Sequence, residues 1–314
     1  MSCIFAVTLS DRYRGALIGL AVGSALGAPY RGQRAGSFEP SDEIAEGQWT
    51  DNTSMAVCLA GSLVERRGFD PRDQMDRYLQ CRRQVPTNSN GTANDSDPAL
   101  QDALDCYEST GEPFAGSTDS TKAGSGSLAR LAPIPMYLLH DGARAKEIAT
   151  EMSRTTHAAL EAVDACRYLT GLMVGALRSE SKEALLSDLY SPVYNYFLFQ
   201  HVALCPAIDR VARGVYKHKQ ASELPATGKA AETLEAALWA FDGTSDFAEG
   251  ALRAVRLGGD TDAIGAAYGQ LAGAYYGDAN IPTHWREKVV RRQEIEDLAT
   301  TVMHETKQGI RHFT

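Results

Sequence analysis

Apolar positions recur with helical spacing over most of this chain. "RYRGALIGLAVGSALG" (12–27) is apolar on every side and rich in Gly and Ala. "TSMAVCLAGSLVERRG" (53–68) follows a Thr/Ser cap and stops at Gly68, a helical start and stop pair. In "PRDQMDRYLQCRRQV" (71–85), Pro71 takes the first turn, and Met75, Tyr78, Leu79 and Val85 recur close to the helical period. Further helices are predicted over 99–111, over 157–179 (the longest, with Leu160, Val163, Cys166 and Leu169 on one side), and over 230–243, 246–259 and 263–276. Period-two alternation is rare and β-branched residues do not cluster. The expected fold class is therefore all-α, a compact multi-helix bundle, with 1–314 as a single domain. Polar stretches at 87–98, 111–127 and 217–229 read as loops, the first long enough to carry function and the third as a surface connection.

Gly weakens a helix by roughly 1 kcal/mol relative to Ala. The runs "GLAVGSALG" and "GAAYGQLAGAYYG" therefore point to helices packed backbone to backbone at the centre of the bundle.

Charge and cysteine usage narrow the function. The formal net charge is -9, whereas nucleic acid or an anionic membrane asks for clustered Lys and Arg, so neither is expected as a partner. Cys3, Cys58, Cys81, Cys106, Cys166 and Cys205 form no CxxC pair, which speaks against zinc ribbons and disulfide frameworks. Cys58 and Cys166 fall inside apolar helical patterns and read as core residues, and a reducing cytoplasm is the expected setting. The first residues lack a basic region before their apolar run, so no secretory signal is expected. The longest apolar candidate, 16–28, is too short to span a bilayer.

Two oxygen-rich turns stand at helix entrances about two hundred residues apart: "GQWTDNTSM" (47–55) and "LGGDTDAIG" (257–265). Helix capping is one reading, since Asp, Asn, Thr and Ser favour N-caps and the helix dipole favours carboxylates there. One cap accounts for one residue at each turn and leaves Asp260 and Asp262 side by side. Like charges that close repel unless a cation lies between them. All the donors are oxygens, which suits Mg²⁺ or Mn²⁺ and not zinc. The second turn is no EF-hand, having no closing Glu, and it lacks the Lys of a P-loop. "GSGSLA" (124–129) loosely matches a dinucleotide fingerprint, but no strand precedes it.

Five blocks, in order, resemble the ADP-ribosylglycohydrolase family, and within it bacterial enzymes similar to dinitrogenase-reductase-activating glycohydrolase: 14–29, 47–63, 109–136, 156–177 and 257–277. The resemblance implies an all-α fold, a two-magnesium site and cleavage of the glycosidic bond joining ADP-ribose to a modified protein side chain, most closely arginine. It implies that Thr50, Asp51, Asn52, Asp260 and Asp262 are metal ligands, Asp262 bridging the two ions, and that Asp51, Asp95 and Asp260 serve catalysis at an oxocarbenium-like centre. Asp95 would lie near the scissile bond. Gly124, Ser125, Gly126 and Ser127 would line the ADP-ribose, partly through backbone N–H groups, and His157 would contact the nucleotide. Purely structural roles stand beside these: a solvated loop carboxylate for Asp95, a flexible linker for Ser125 and Ser127, and a satisfied histidine at a helix start for His157.

The chain also departs from the family pattern. Asn52 stands where the family usually has a second aspartate, Ser24 where it has Asp, Arg31 where it has a metal-reaching glutamate, Ala263 where a Thr ligand is common, and Ser125 where Asn is common. These exchanges imply weaker occupancy of at least one metal. Besides an active hydrolase, they leave open an impaired protein that binds ADP-ribose or neutralises a transferase, and a structural member without metal.

Overall fold

Gly15, Gly19, Gly23 and Gly27 follow one another at four-residue intervals, so they share one face of their helix. In the computed structural model, which describes residues 7–44, 50–84, 97–192 and 203–309, that face lies directly on a second glycine face. Gly15 meets Gly273, Gly19 meets Gly269, Gly23 meets Gly265, and Gly27 meets the backbone of Thr261 and Asp262. The two helices therefore run antiparallel, with backbones in contact. Thr261 Oγ1 donates to Gly27 O at 2.7 Å, pinning the register.

The first half of the described chain forms helices α1 (Leu9–Gly27), α2 (Asp51–Arg66), α3 (Pro71–Gln84), α4 (Pro98–Thr110), α5 (Gly126–Ala129), α6 (Pro133–Tyr137) and α7 (Gly142–Arg154). The second half forms α8 (Leu160–Leu177), α9 (Lys182–Leu185), α10 (Pro206–Ala212), α11 (Ala230–Asp242), α12 (Phe247–Val255), α13 (Thr261–Tyr276), α14 (Thr283–Arg286) and α15 (Arg292–Gly309). Among the described residues, β-structure is confined to isolated bridges, and the fold is all-α. Among the same residues, no helix is long and apolar enough to cross a membrane.

The main core surrounds the α1–α13 pair, with Ile18, Leu20, Leu169, Leu172, Phe241 and Trp285 fully buried. A smaller cluster of Met55, Met75, Tyr78, Leu100, Leu104 and Tyr107 joins α2, α3 and α4. Cys166 is buried as expected, whereas Cys58 is only half-buried.

Helices predicted with both end signals fall within a few residues of their observed bounds. The predicted 157–179 helix starts later, at Leu160, because His157 first bridges to Ser117. The predicted 246–259 helix stops at Val255, because Gly258 and Gly259 turn the chain with φ of 72° and 66°. The 111–127 stretch contains the start of α5. The 217–229 stretch is no mere surface connection, since its end joins the wall of the cavity described below. Two long helices, α7 and α15, have no counterpart in the sequence reading. Each buries a narrow stripe, Ala145, Ile148, Ala149 and Met152 in one, Ile295, Ala299 and Val302 in the other, among mostly polar neighbours.

The glycine contact yields a prediction with two signs. A Cβ on Gly269 would collide with the Gly19 carbonyl, and backbone cannot yield cheaply. Gly269→Ala is expected to lower the unfolding free energy by about 3 kcal/mol. A Cβ on Gly61 of α2 would meet only the end of the Arg77 side chain, at 3.3 Å. Gly61→Ala is expected to raise stability by roughly 0.5–1 kcal/mol through helix propensity. Urea unfolding midpoints of the two variants measure both effects.

Candidate active site

The α1–α13 register sets the N-terminus of α13 beside the C-terminus of α1, at the mouth of a cavity of about 650 Å³. The starts of α2, α4, α11 and α13 converge on it. Each helix start presents unpaired N–H groups and a partial positive charge, which helps the cavity tolerate its acidic wall. That wall carries Asp51, Asp97, Asp260 and Asp262.

The two oxygen-rich turns behave differently. Thr50 caps α2, its Oγ1 accepting from Asn52 N at 3.3 Å and lying 2.5 Å from Ser24 Oγ. It is not among the residues that line the cavity. Asp260 occupies the N-cap position of α13 but makes no capping hydrogen bond. Its Oδ2 accepts instead from Ser125 Oγ at 2.7 Å. Asn52 Nδ2 donates to Asp262 Oδ2 at 3.3 Å, which joins the turns directly. Thr261, between the two aspartates, points inward and serves the register.

Arg31 reaches over this acidic pair. Its Nη1 lies 3.6 Å from Asp262 Oδ2 and its Nε 3.9 Å from Asp260 Oδ1. The neighbouring backbone is stitched to the glycine turn by Gly32 N to Gly259 O and Gly259 N to Gln33 O, both 2.8 Å.

Asp97, immediately before Pro98, caps α4 through Ala99 N at 2.9 Å. Its Oδ2 lies 2.6 Å from His157 Nε2. The other ring nitrogen, Nδ1, is 2.8 Å from Thr156 Oγ1, which also receives the fully buried Arg130 guanidinium. Arg130 stacks over Tyr78, 5.0 Å from the ring centroid. A Cβ on Gly126 would strike the Asp97 carboxylate, so the absent side chain makes room for it.

The carboxylates are driven apart electrostatically. Burial pushes Asp51, Asp260 and Asp262 above the usual range, Asp262 to about 7, with repulsion from Asp260 and Asp51 adding to its rise. Arg31 opposes all three rises. Burial would raise Asp97 as well, but His157, Arg130 and the Ala99 N–H outweigh it and hold Asp97 well below the usual range.

Several residues implied by the sequence are placed here, and others are not. Asp51, Asn52, Asp260, Asp262, Gly124, Ser125 and Gly126 line the cavity. Asp95 lies outside the described residues. His157 is buried, its ring braces Asp97, and it is not among the residues that line the cavity. Ser127 is turned inward by the first turn of α5, 2.9 Å from Ser153 Oγ. The Gly124 and Ser125 amides already donate to Lys122 O and Gly228 O. Sequence reasoning missed Asp97 and Arg130. Asp-Pro at the start of an apolar helical pattern was the signal for the first; nothing local marked the second.

The donor set suits a hard cation. Asp51, Asp260 and Asp262 offer carboxylate oxygens, Asn52 a carboxamide oxygen, and the buried Asp262 Oδ1 accepts no hydrogen bond among the described residues. Among the described residues, no three acidic, histidine or cysteine side chains close tightly enough to enclose an ion by themselves.

The raised Asp262 carboxyl has a pH signature in protein treated with EDTA. The native state keeps a proton that the unfolded chain, with a carboxyl near 3.8, releases, so the cost of ionising Asp262 grows from about pH 4 to about pH 7. Asp262→Asn is expected to gain about 4 kcal/mol over the wild type at pH 8 and almost nothing near pH 4. Denaturant unfolding at both pH values checks the sign.

Comparison with known proteins gives the family and the fold. A sequence model of the family described as ADP-ribosylglycohydrolase matches residues 6–311. ADP-ribosylarginine hydrolase Tri1 of Pseudomonas putida (strain GB-1) is 33% identical over 302 residues, covering 92% of this chain and 77% of that protein. ADP-ribosyl-[dinitrogen reductase] glycohydrolase of Rhodospirillum rubrum is 25% identical, covering 92% of this chain and 94% of that protein. A solved structure described as an ADP-ribosylglycohydrolase-related protein complex superposes with a TM-score of 0.81 at 42% identity, covering 95% of this chain and 99% of that one. The chain belongs to the ADP-ribosylglycohydrolase family.

Proposed function

We propose that this enzyme removes ADP-ribose from arginine side chains of modified proteins, in a magnesium-dependent hydrolysis in the cytoplasm. The observation that carries the reading is the pairing, in one cavity, of an aspartate held ionised, Asp97, with a buried acidic cluster that has an unsatisfied oxygen on Asp262. The likeness to an ADP-ribosylarginine hydrolase supports arginine as the acceptor.

Cleavage at the anomeric carbon builds positive charge on the ribose. Asp97, fixed by His157 and the Ala99 amide, supplies a preorganised negative charge for that centre and an acceptor to orient the attacking water. The same acidic wall attracts the guanidinium that leaves. The cavity, about 650 Å³, falls in the range that encloses a ligand of nucleotide size. Lys229 lines it from the start of α11 and would offer a cation to a diphosphate. Asp51, Asp260 and Asp262, with the Asn52 carboxamide, would hold magnesium; the chemistry it supplies when bound is Lewis acidity toward the ribose hydroxyls and the water.

One observation favours a second reading, an impaired protein that binds ADP-ribose or neutralises a transferase: Arg31 stands over the acidic pair where cationic chemistry is needed. Incubation with ADP-ribosylated arginine and Mg²⁺ separates the two. Release of free ADP-ribose that EDTA abolishes supports the hydrolase, and tight ADP-ribose binding without release supports the alternative. Asp97→Asn is expected to lower kcat by about 100-fold or more with KM changed only a few-fold, read from steady-state release.

A further inference from the structure

Asp260 and Asp262 are not left as bare like charges. Arg31 Nη1 and Nε lie 3.6 Å and 3.9 Å from their carboxylates, and the side chain is only 27% exposed. The guanidinium is delivered by the fold, because Gly32 N and Gln33 O are bonded to Gly259 on the turn that carries Asp260. Arg31 offsets part of the negative charge that Asp51, Asp260 and Asp262 can carry, and Lys229 is a second cation on the same cavity wall. Asp97 is matched separately by His157 and Arg130, and Lys122 at the rim is matched by Asp102, 2.8 Å away. Among the described residues, Asp262 Oδ1 is buried and has no hydrogen-bond partner.

We infer that the Arg31 guanidinium takes the place of one metal ion, so that this site binds a single divalent cation through Asp262 Oδ1. One dication suits the unmatched oxygen, and a second would have to enter beside a fixed positive group that repels it. This inference rests on the metal-dependent reading above and changes its stoichiometry. Arg31 is thus a positioning residue that holds the acidic pair in place of a cation and touches no reacting atom.

The test is manganese binding to the full chain, followed by electron paramagnetic resonance during a Mn²⁺ titration, with Arg31→Ala and Arg31→Glu beside the wild type. Circular dichroism confirms that the variants are folded. The expected result is one bound Mn²⁺ per wild-type chain and two in either variant, the second ion binding roughly tenfold or more tightly than to the wild type. Two ions of similar affinity on the wild type overturn the inference, and so does a single ion on both variants. No bound manganese on a wild type that still releases ADP-ribose overturns it too, and leaves the hydrolase standing. One manganese on a wild type that releases none from ADP-ribosylated arginine supports the inference and sinks the hydrolase reading instead.

Discussion

Backbone contact between α1 and α13 fixes where the charged groups of the cavity stand. Four-residue spacing keeps Gly15, Gly19, Gly23 and Gly27 on one face, and Gly265, Gly269 and Gly273 answer them from the other helix. Without Cβ atoms the carbonyls of each helix reach the backbone of the other, and a shift by one residue would set an Ala or Leu side chain against a carbonyl. Only one register fits. That register ends with Gly27 against Thr261, so the acidic start of α13 must lie beside the segment that leads to Arg31. The intrinsic helical cost of the glycines is offset by dispersion contact along two long, nearly dry helices.

A rigid placement of this kind makes it possible to hold unfavourable charges. Carboxylates buried together raise one another's proton affinity, and nothing about an isolated cluster would make it useful. Here the fold treats its acidic groups unequally. Asp97 receives a buried ring, a guanidinium and an amide, and stays ionised. Asp262 receives a carboxamide and a guanidinium 3.6 Å away, and among the described residues its Oδ1 has no hydrogen-bond partner. Two carboxyls of the same chemistry thus present opposite tendencies across one cavity, the pattern expected where one group must carry charge and another must take up something positive.

The sequence showed the helices wherever an apolar face coincided with a cap and a stop, as in 53–68. It showed the glycine faces because so many glycines in a helix need a packing reason. It did not show α7 and α15, whose buried stripes are narrow and whose polar residues dominate a window average. Within the site, residue types at helix starts were legible, but the rotation of the first turn was not. Ser125 and Ser127 sit two residues apart, yet one bonds Asp260 and the other is buried against Ser153. His157 is similar: its chemistry suits a ligand, but the turn before α8 aims its ring at Asp97. Arg130 is anchored by partners from α3 and from the turn before α8, far apart in the chain, and no local pattern could announce it.

The choice between a cap and a site residue at Asp260 comes down to backbone geometry. A capping side chain folds back onto its own helix when the N-cap backbone is extended, as at Thr50, with φ −95° and ψ 179°. Asp260 has φ −84° and ψ 54°, because it follows two glycines in left-handed conformations. Those glycines let the chain turn sharply between Gln33 and Ala226, each of which accepts a backbone hydrogen bond from this turn. With ψ so far from the extended value, the carboxylate swings away from the amides of α13 and into the cavity, where Ser125 meets it. The same two-glycine turn bonds Gly32 and so carries Arg31 to the carboxylate it has exposed. A turn that merely ended a helix would have left Asp260 as an ordinary cap. This one removes it from capping and supplies its counter-charge in the same stroke of backbone.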